Sequence, residues 1–412
     1  MSKRPGSSAL SERDFRRFIA GYSLSLTGSA MVPLAIAFTL YARGLGAAAV
    51  SEVLAAETVP LVVLLLIGGA VADRLPRRAV MIGSDLLRFV SQSVLAALLL
   101  TGHAALPVIM ALMALVGTGT AFYTPGRAGL LPQLLRPEHL QSGNALCAIA
   151  ASTAGVAGPV VAGLLVAAAG GAWAIAIDAG SYALSAALLF SMRLRDVPAP
   201  PVLSFVGQLK EGWGEFTSRI WLWAVVLQFA LIHLLVVGPV MVLGSLGFAH
   251  VAHGALGWGG LTACQGAGAV FGGLAAMRLK PRRPIQASLL WFFLFALLPG
   301  SLAAGLPYAA MAACFLAGGF GIAVFMVLWD TTLQRVIPPD RLSRVSAYDM
   351  FGSICLLPIG YLLAAPMAAG FGRQGALWVA TGIAVLSTIA VLLPGGVRRM
   401  RLPAGGETMD AV

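Results

Sequence analysis

Charge is scarce in this chain. Lys, Arg, Asp and Glu make up 10% of its 412 residues, where a soluble domain carries roughly a quarter. With 59% hydrophobic residues and a mean hydropathy of +0.89, the chain has more apolar surface than water tolerates, and the excess must face lipid. Short alternating segments separated by turns are also missing, which argues against a β-barrel. The four cysteines, Cys147, Cys264, Cys314 and Cys355, lie in apolar stretches without CxxC or His/Cys spacing. That excludes a metal centre or disulfide framework and leaves them as small buried side chains. HExxH, GxSxG and Walker A patterns are absent, so neither hydrolysis nor ATP-driven work is expected. The expectation is a protein that is no enzyme and holds neither cofactor nor metal.

What the chain does have is apolar runs of membrane-spanning length and many small residues, 49 of them glycine, which let helix backbones approach closely in lipid. A span takes about 20 apolar residues. Runs bounded by charge, Gly or Pro predict helices at 17–42, 47–72, 78–101, 104–126, 140–168 and 172–192, then at 218–248, 254–278, 285–304, 307–332, 344–369 and 374–394. The long 218–248 run is expected to kink at Pro239. Lys3, Arg4, Arg13, Arg16 and Arg17 precede the first run, which exceeds signal-peptide length and lacks an A-x-A site, so it is expected to stay as the first span.

The net charge of +11 does not point to nucleic acid, because the basic residues sit in short clusters between spans. Both tails and the even-numbered gaps carry 24 of the 27 Lys and Arg. The opposite gaps hold only Arg43 and Arg373, and Arg88 lies inside the third span. Basic residues collect on the cytoplasmic side, so both termini are expected in the cytoplasm of an inner or plasma membrane.

Two halves are expected, 1–192 and 218–412, joined by a cytoplasmic linker at 193–217. The linker carries Pro198, Pro200 and Pro201, then an amphipathic segment with Phe205, Leu209, Trp213 and Phe216 suited to the membrane interface. The halves echo each other. Gly68-Gly69-Ala70-Val71-Ala72-Asp73-Arg74 closes the second span, and Gly272-Gly273-Leu274-Ala275-Ala276-Met277-Arg278 closes the eighth. Leu131-Pro132-Gln133-Leu134-Leu135-Arg136-Pro137 follows the fourth span, and Leu333-Gln334-Arg335-Val336-Ile337-Pro338-Pro339 follows the tenth. Duplicated six-helix halves belong to secondary transporters that rock about a midplane site.

The segment 69–78 fits G-x-x-x-D-R-x-G-R-R with Pro76 at the later glycine, and on this motif the chain resembles the major facilitator superfamily over nearly its whole length. Ser84-Asp85-Leu86-Leu87-Arg88, Phe122-Tyr123-Thr124-Pro125-Gly126-Arg127 through Asn144-Ala145, and Thr331-Thr332-Leu333-Gln334-Arg335 are similar to its branch of macrolide, drug and enterobactin exporters. Gly158-Pro159-Val160-Val161-Ala162-Gly163 resembles the fifth-helix antiporter signature, with Ala162 in place of a glycine. The resemblance implies a monomeric all-α membrane protein of about twelve helices, working by alternating access on small amphipathic molecules such as drugs, natural products or siderophores, among membrane lipids and with proton coupling. An importer or lipid flippase on the same fold, or a non-transporting membrane receptor, is the alternative.

Residue roles follow. Gly69, Asp73, Arg74, Arg77 and Arg78 would form a cytoplasmic latch, with Asp73 facing a helix N-terminus around Arg344 to Ser346. Met277 stands at the equivalent place in the second half, so the latch would be one-sided; a plain basic topology anchor is the competing role. Gly158, Pro159 and Gly163 would supply a bend or tight seal, or plain helix packing.

Ionisable groups inside spans are functional candidates by default: Glu52, Glu57, Asp85, Arg88, Asp178 and His233, with Asp330 and Asp349 near helix ends. Asp85 and Arg88, three apart, can neutralise each other. Glu57 and Asp178 have no cation nearby in sequence, and desolvation favours the neutral form of a carboxyl, which suits reversible proton binding. Glu57 leads as proton carrier and Asp178 follows, although Glu57 can serve as a cap or interhelical contact and Asp178 can bond backbone or Ser181. His233 is expected to be an ordinary polar contact. Two features of drug–proton antiporters are lacking, an arginine in the fourth span and an acid in the first. By the resemblance the first, fourth, seventh and tenth helices line the cavity, presenting Phe38, Tyr41, Phe122, Tyr123, Trp221, Phe229, Phe325 and Trp329, an aromatic surface suited to bulky amphipathic cargo.

Overall fold

A computed structural model describes residues 9–136, 139–192, 213–214, 216–279, 281–337, 339–394 and 397. Among these residues the chain is helical, with no strand. The first six helices are α1 (Arg13–Ala42), α2 (Ala47–Arg74), α3 (Arg77–Leu100), α4 (Leu106–Leu134), α5 (Leu140–Ala169) and α6 (Gly171–Phe190). Then come α7 (Ile220–Leu246), α8 (Gly254–Ala276), α9 (Pro284–Ala303) and α10 (Tyr308–Val336). The eleventh, α11, begins as Pro339–Ile354 and resumes at Leu357. The stretch Leu357–Leu392 is broken at Gly372 (φ 69°), beyond which α12 occupies 373–392. Ten described stretches are long and apolar enough to cross a membrane; the last, Val345–Leu392, contains two helices, and glycine-rich α8 is not among the ten.

The chain turns sharply where it has glycine. Gly44, Gly102, Gly170, Gly305 and Gly372 adopt positive φ at the ends of α1, α3, α5, α9 and α11, where a left-handed residue stops the helix without a Cβ clash. After α7 the same conformation falls on His253 (φ 57°). Charged ends extend beyond the apolar runs. The fourth helix continues past the expected 126 to Leu134, through Pro125 and Pro132, so Arg127 is helical. The irregularity in α7 falls at His233–Val237, a single π turn, ahead of the expected Pro239. Proline's ring crowds the carbonyl four residues back, here Leu235, and widening that turn relieves the clash.

The chain divides into two compact units, Met1–Val202 with Ser245–Ala263, and Leu203–Gly244 with Cys264–Val412. In the first, α1 packs on α5 and α6, α2 on α4, and α3 on α4 and α6. In the second, α7 packs on α11, and α9 on α10 and α12. The pairings α3–α4 and α3–α6 thus recur as α9–α10 and α9–α12, the structural form of the repeat visible in the loops. Most of the linker 193–217 lies outside the described residues. Of its apolar residues, Trp213 stacks on Phe216 (centroids 5.8 Å apart).

Candidate functional site: a buried charge cluster in the first unit

Helix periodicity aligns Asp85, Arg88 and Gln92 on one face of α3, and Asp178, Tyr182 and Ser185 on one face of α6. The two faces meet. Asp85 and Arg88 form an ion pair within α3, with Asp85 fully buried and Arg88 4% exposed. Ser185 donates to Asp85 Oδ2 at 2.7 Å. Seven residues along, Gln92 Nε2 donates to Asp178 Oδ2 at 3.2 Å. The Arg88 guanidinium is sandwiched between Tyr123 of α4 and Tyr182 of α6, 4.4 and 4.2 Å from the ring centres. Stacking of this kind suits arginine, whose flat, weakly hydrated cation sits well on aromatic faces.

The first helix completes the enclosure. Ser29 and Tyr182 share a hydrogen bond of 2.9 Å, and Gly28 lies so close to Asp178 and Ser181 that a methyl group there would collide with the Asp178 carboxyl. Ser181 bonds the Asp178 backbone carbonyl at 2.7 Å and reaches its Oδ1 only at 3.5 Å. Asp178, expected to lack a cation, is within electrostatic reach of Arg88. The neighbour comes from another helix, which local sequence does not show. The carboxyl of half-buried Glu57 of α2 has no hydrogen-bond partner among the described residues and lies within electrostatic reach of Asp178 and Tyr182. The cluster therefore sets Asp85 and Asp178 against one guanidinium, with Glu57 as a third acid beside Asp178. Gln92, Tyr182 and Ser185 are participants absent from the sequence expectations; the polar stripe Asp85–Arg88–Gln92, at steps of three and four, is the signal that points to Gln92.

Two of the basic loop residues donate to backbone carbonyls of neighbouring helices. Arg77 donates to the Gly129 carbonyl near the end of α4, and Arg78 to the Phe190 carbonyl closing α6 while resting on the Phe190 ring. Phe190 is the last residue of α6, where carbonyls without helical donors attract cations, and both of these contacts lie within the first unit. Gly69, Asp73 and Arg74 fall at the end of α2, but their side chains lie outside the described residues, as does that of Arg344.

In α5, Gly158 abuts Ala30 and Thr27 of α1. Gly163 abuts Ala255 and Leu256 of α8, where an added Cβ would stand 3.0 Å from the Ala255 carbonyl oxygen. The Pro159 carbonyl faces Gly259. The motif is thus a surface where α1, α5 and the start of α8 come close.

The aromatic residues expected along a cavity are mostly packed on one another. Phe38 meets Tyr41 edge-on at 5.9 Å, and Tyr41 shares a hydrogen bond with Ser245. Phe38 also lines a pocket of about 250 Å³ with Val166 and His253. Tyr123 is taken up by Arg88, and Phe122 is half-buried. In the second unit Trp221, Trp329, Phe325 and Phe229 form a continuous buried chain, with Trp221–Trp329 at 5.6 Å and Phe229–Phe325 at 4.8 Å. Trp329 Nε1 donates to Asp349 at 3.1 Å, whereas Asp330 is exposed. His233 Nδ1 bonds the Phe229 carbonyl at 2.9 Å inside the π turn.

The fold recurs among solved transporters. A nucleoside transporter superposes with TM-score 0.71 at 12% identity, covering 92% of this chain and 98% of that one. A D-xylose-proton symporter gives 0.67 at 14%, covering 96% and 99%. The fold is that of multi-pass membrane proteins of the major facilitator type. Residues 6–405 match the transmembrane secretion effector family of that superfamily, and the chain belongs to it. It is 26% identical to the multidrug efflux pump Tap of Mycolicibacterium fortuitum over 84% of this chain and 87% of that protein. It is also 26% identical to macrolide efflux protein A of Streptococcus pyogenes, over 91% and 94%.

Proposed function

We propose that this transporter exports bulky amphipathic small molecules, such as drugs, natural products or siderophores, in exchange for protons. The observation that carries the coupling is the pair of buried acids Asp85 and Asp178 beside the cation Arg88, with half-buried Glu57 within electrostatic reach of Asp178. Charged groups inside a membrane protein are costly and persist where they do work. The direction of transport rests on the efflux proteins that this chain resembles over most of its length. The chain acts as a monomer in the inner or plasma membrane with both termini in the cytoplasm, in keeping with the distribution of its basic residues.

Alternating access needs groups that open and close the two sides. Gly69, Asp73, Arg74, Arg77 and Arg78 serve as the cytoplasmic latch, and Gly158, Pro159 and Gly163 as the tight helical seal. Phe38, Phe122, Trp221, Phe229, Phe325 and Trp329, with Tyr41 and Tyr123, supply the aromatic surface that cargo meets when the packed rings part. Cells expressing the protein should accumulate less lipophilic dye or macrolide than cells with empty vector. More accumulation would reverse the direction and favour the importer, and accelerated movement of labelled phospholipid between leaflets would favour the flippase.

A further inference from the structure

The proton-coupled reading leaves open which carboxyl takes the proton and what tells the protein that it has. The three acids differ in their partners. Asp85 is committed, holding both the Arg88 guanidinium and the Ser185 hydroxyl. The Glu57 carboxyl has no hydrogen-bond partner among the described residues. Asp178 is fully buried and faces an amide, Gln92, that is itself fully buried.

That amide carries an unmatched atom. With Nε2 turned to Asp178, the Gln92 Oε1 is buried with no hydrogen-bond partner among the described residues, and so is Arg88 Nε. A buried carbonyl oxygen without a donor is costly. A carboxamide has a donor end and an acceptor end of nearly the same shape. Towards an ionised Asp178 the Nε2 end fits. Towards a protonated Asp178 the acid has a proton to give, and half a turn of the amide brings Oε1 round to accept it. Gln92 can therefore bond Asp178 in either protonation state.

We infer that Asp178 is the carboxyl that binds and releases the coupling proton, and that Gln92 and Arg88 are its positioning residues. Gln92 turns its amide to match the protonation state. Arg88, held by Asp85 between Tyr123 and Tyr182, is a fixed positive charge kept from pairing fully with Asp178. The other groups facing this site are Ser181 and Tyr182 on α6, Ser29 and the Gly28 backbone on α1, Tyr123 on α4 and Glu57 on α2. None of these supplies a second cation, so the control of Asp178 falls to Arg88.

The inference rests on the proton-coupled reading, and one experiment separates the two. Purified protein in liposomes is given a pH gradient and a lipophilic dye, and the pH dependence of dye transport is recorded. Asp178→Asn should lose gradient-driven transport while retaining downhill dye movement. Gln92→Leu removes the donor to the ionised acid, so the proton is held more tightly and the midpoint should move to higher pH. Asp85→Asn frees Arg88 to pair with Asp178, so the midpoint should move down by about one unit or more. Gln92→Asn and Arg88→Lys, with elution profiles matching wild type, control for folding. If wild type ignores the gradient, the proton-coupled reading fails. If wild type responds and Asp178→Asn still does, or if Gln92→Leu and Asp85→Asn slow transport without moving the midpoint in opposite directions, the assignment is overturned.

Discussion

At the residue scale, the cost of burying Arg88 is offset from three sides: the Asp85 carboxylate and two tyrosine rings. Removing one partner of a buried ion pair costs about 3–5 kcal/mol, whereas replacing both by apolar groups of similar size is often neutral. Arg88→Met should therefore lower the thermal unfolding midpoint of the detergent-solubilised protein sharply, and Arg88→Met with Asp85→Leu should recover most of the loss. A double variant no more stable than the single would mean that the tyrosine sandwich, and not the ion pair, carries the site. Ser185→Ala strands one carboxylate oxygen and should cost about 1–3 kcal/mol, read by the same melting curve. The i, i+3 spacing of Asp85 and Arg88 made their pairing legible in the sequence. The Ser185 bond joins residues 100 positions apart, and no local pattern announces it.

At the element scale, helix positions were legible because lipid imposes one rule, that a span be apolar and long enough to cross the bilayer. Helix ends were less legible. The fourth and tenth helices run on beyond their apolar runs, to Leu134 and Val336, since outside the hydrocarbon a helix can continue through charge and even proline. The irregularity of α7 falls on His233–Val237 because the strain of Pro239 is relieved in the preceding turn. Close packing holds that turn: a Cβ added at Gly360 would strike the carbonyl oxygens of His233 and Leu234. Gly360→Val should thus destabilise the second unit by more than about 2 kcal/mol, within the range for overpacking a tight contact. In the first unit, Gly163→Val meets the Ala255 carbonyl and Leu256, and should suppress dye export by more than tenfold at normal expression. Unchanged export in that variant would leave the α5 glycine motif as ordinary packing.

For the whole molecule, the alternation of basic clusters predicts an orientation that fusions can check. Green fluorescent protein fused after Val412 should fluoresce and alkaline phosphatase at the same point should be inactive, with both signals reversed for fusions beside Arg43. An active phosphatase at the C-terminus would overturn the cytoplasmic placement of the tail.

The sequence by itself determined that this is a membrane protein of about twelve helices built from two related halves. Hydropathy, the glycine turns and the spacing of basic residues are local or periodic signals, and each is legible one segment at a time. Only the tertiary structure decided which residues of those helices meet. Asp178 acquired its electrostatic neighbour from α3, the expected cavity aromatics proved largely packed on each other, and Arg77 and Arg78 donate to backbone carbonyls of α4 and α6. These partners are set by which helix faces which, a choice made by steric fit among many apolar surfaces of nearly equal hydropathy. The charge cluster, with its surplus of carboxylates and its two-ended amide, is a product of that fit.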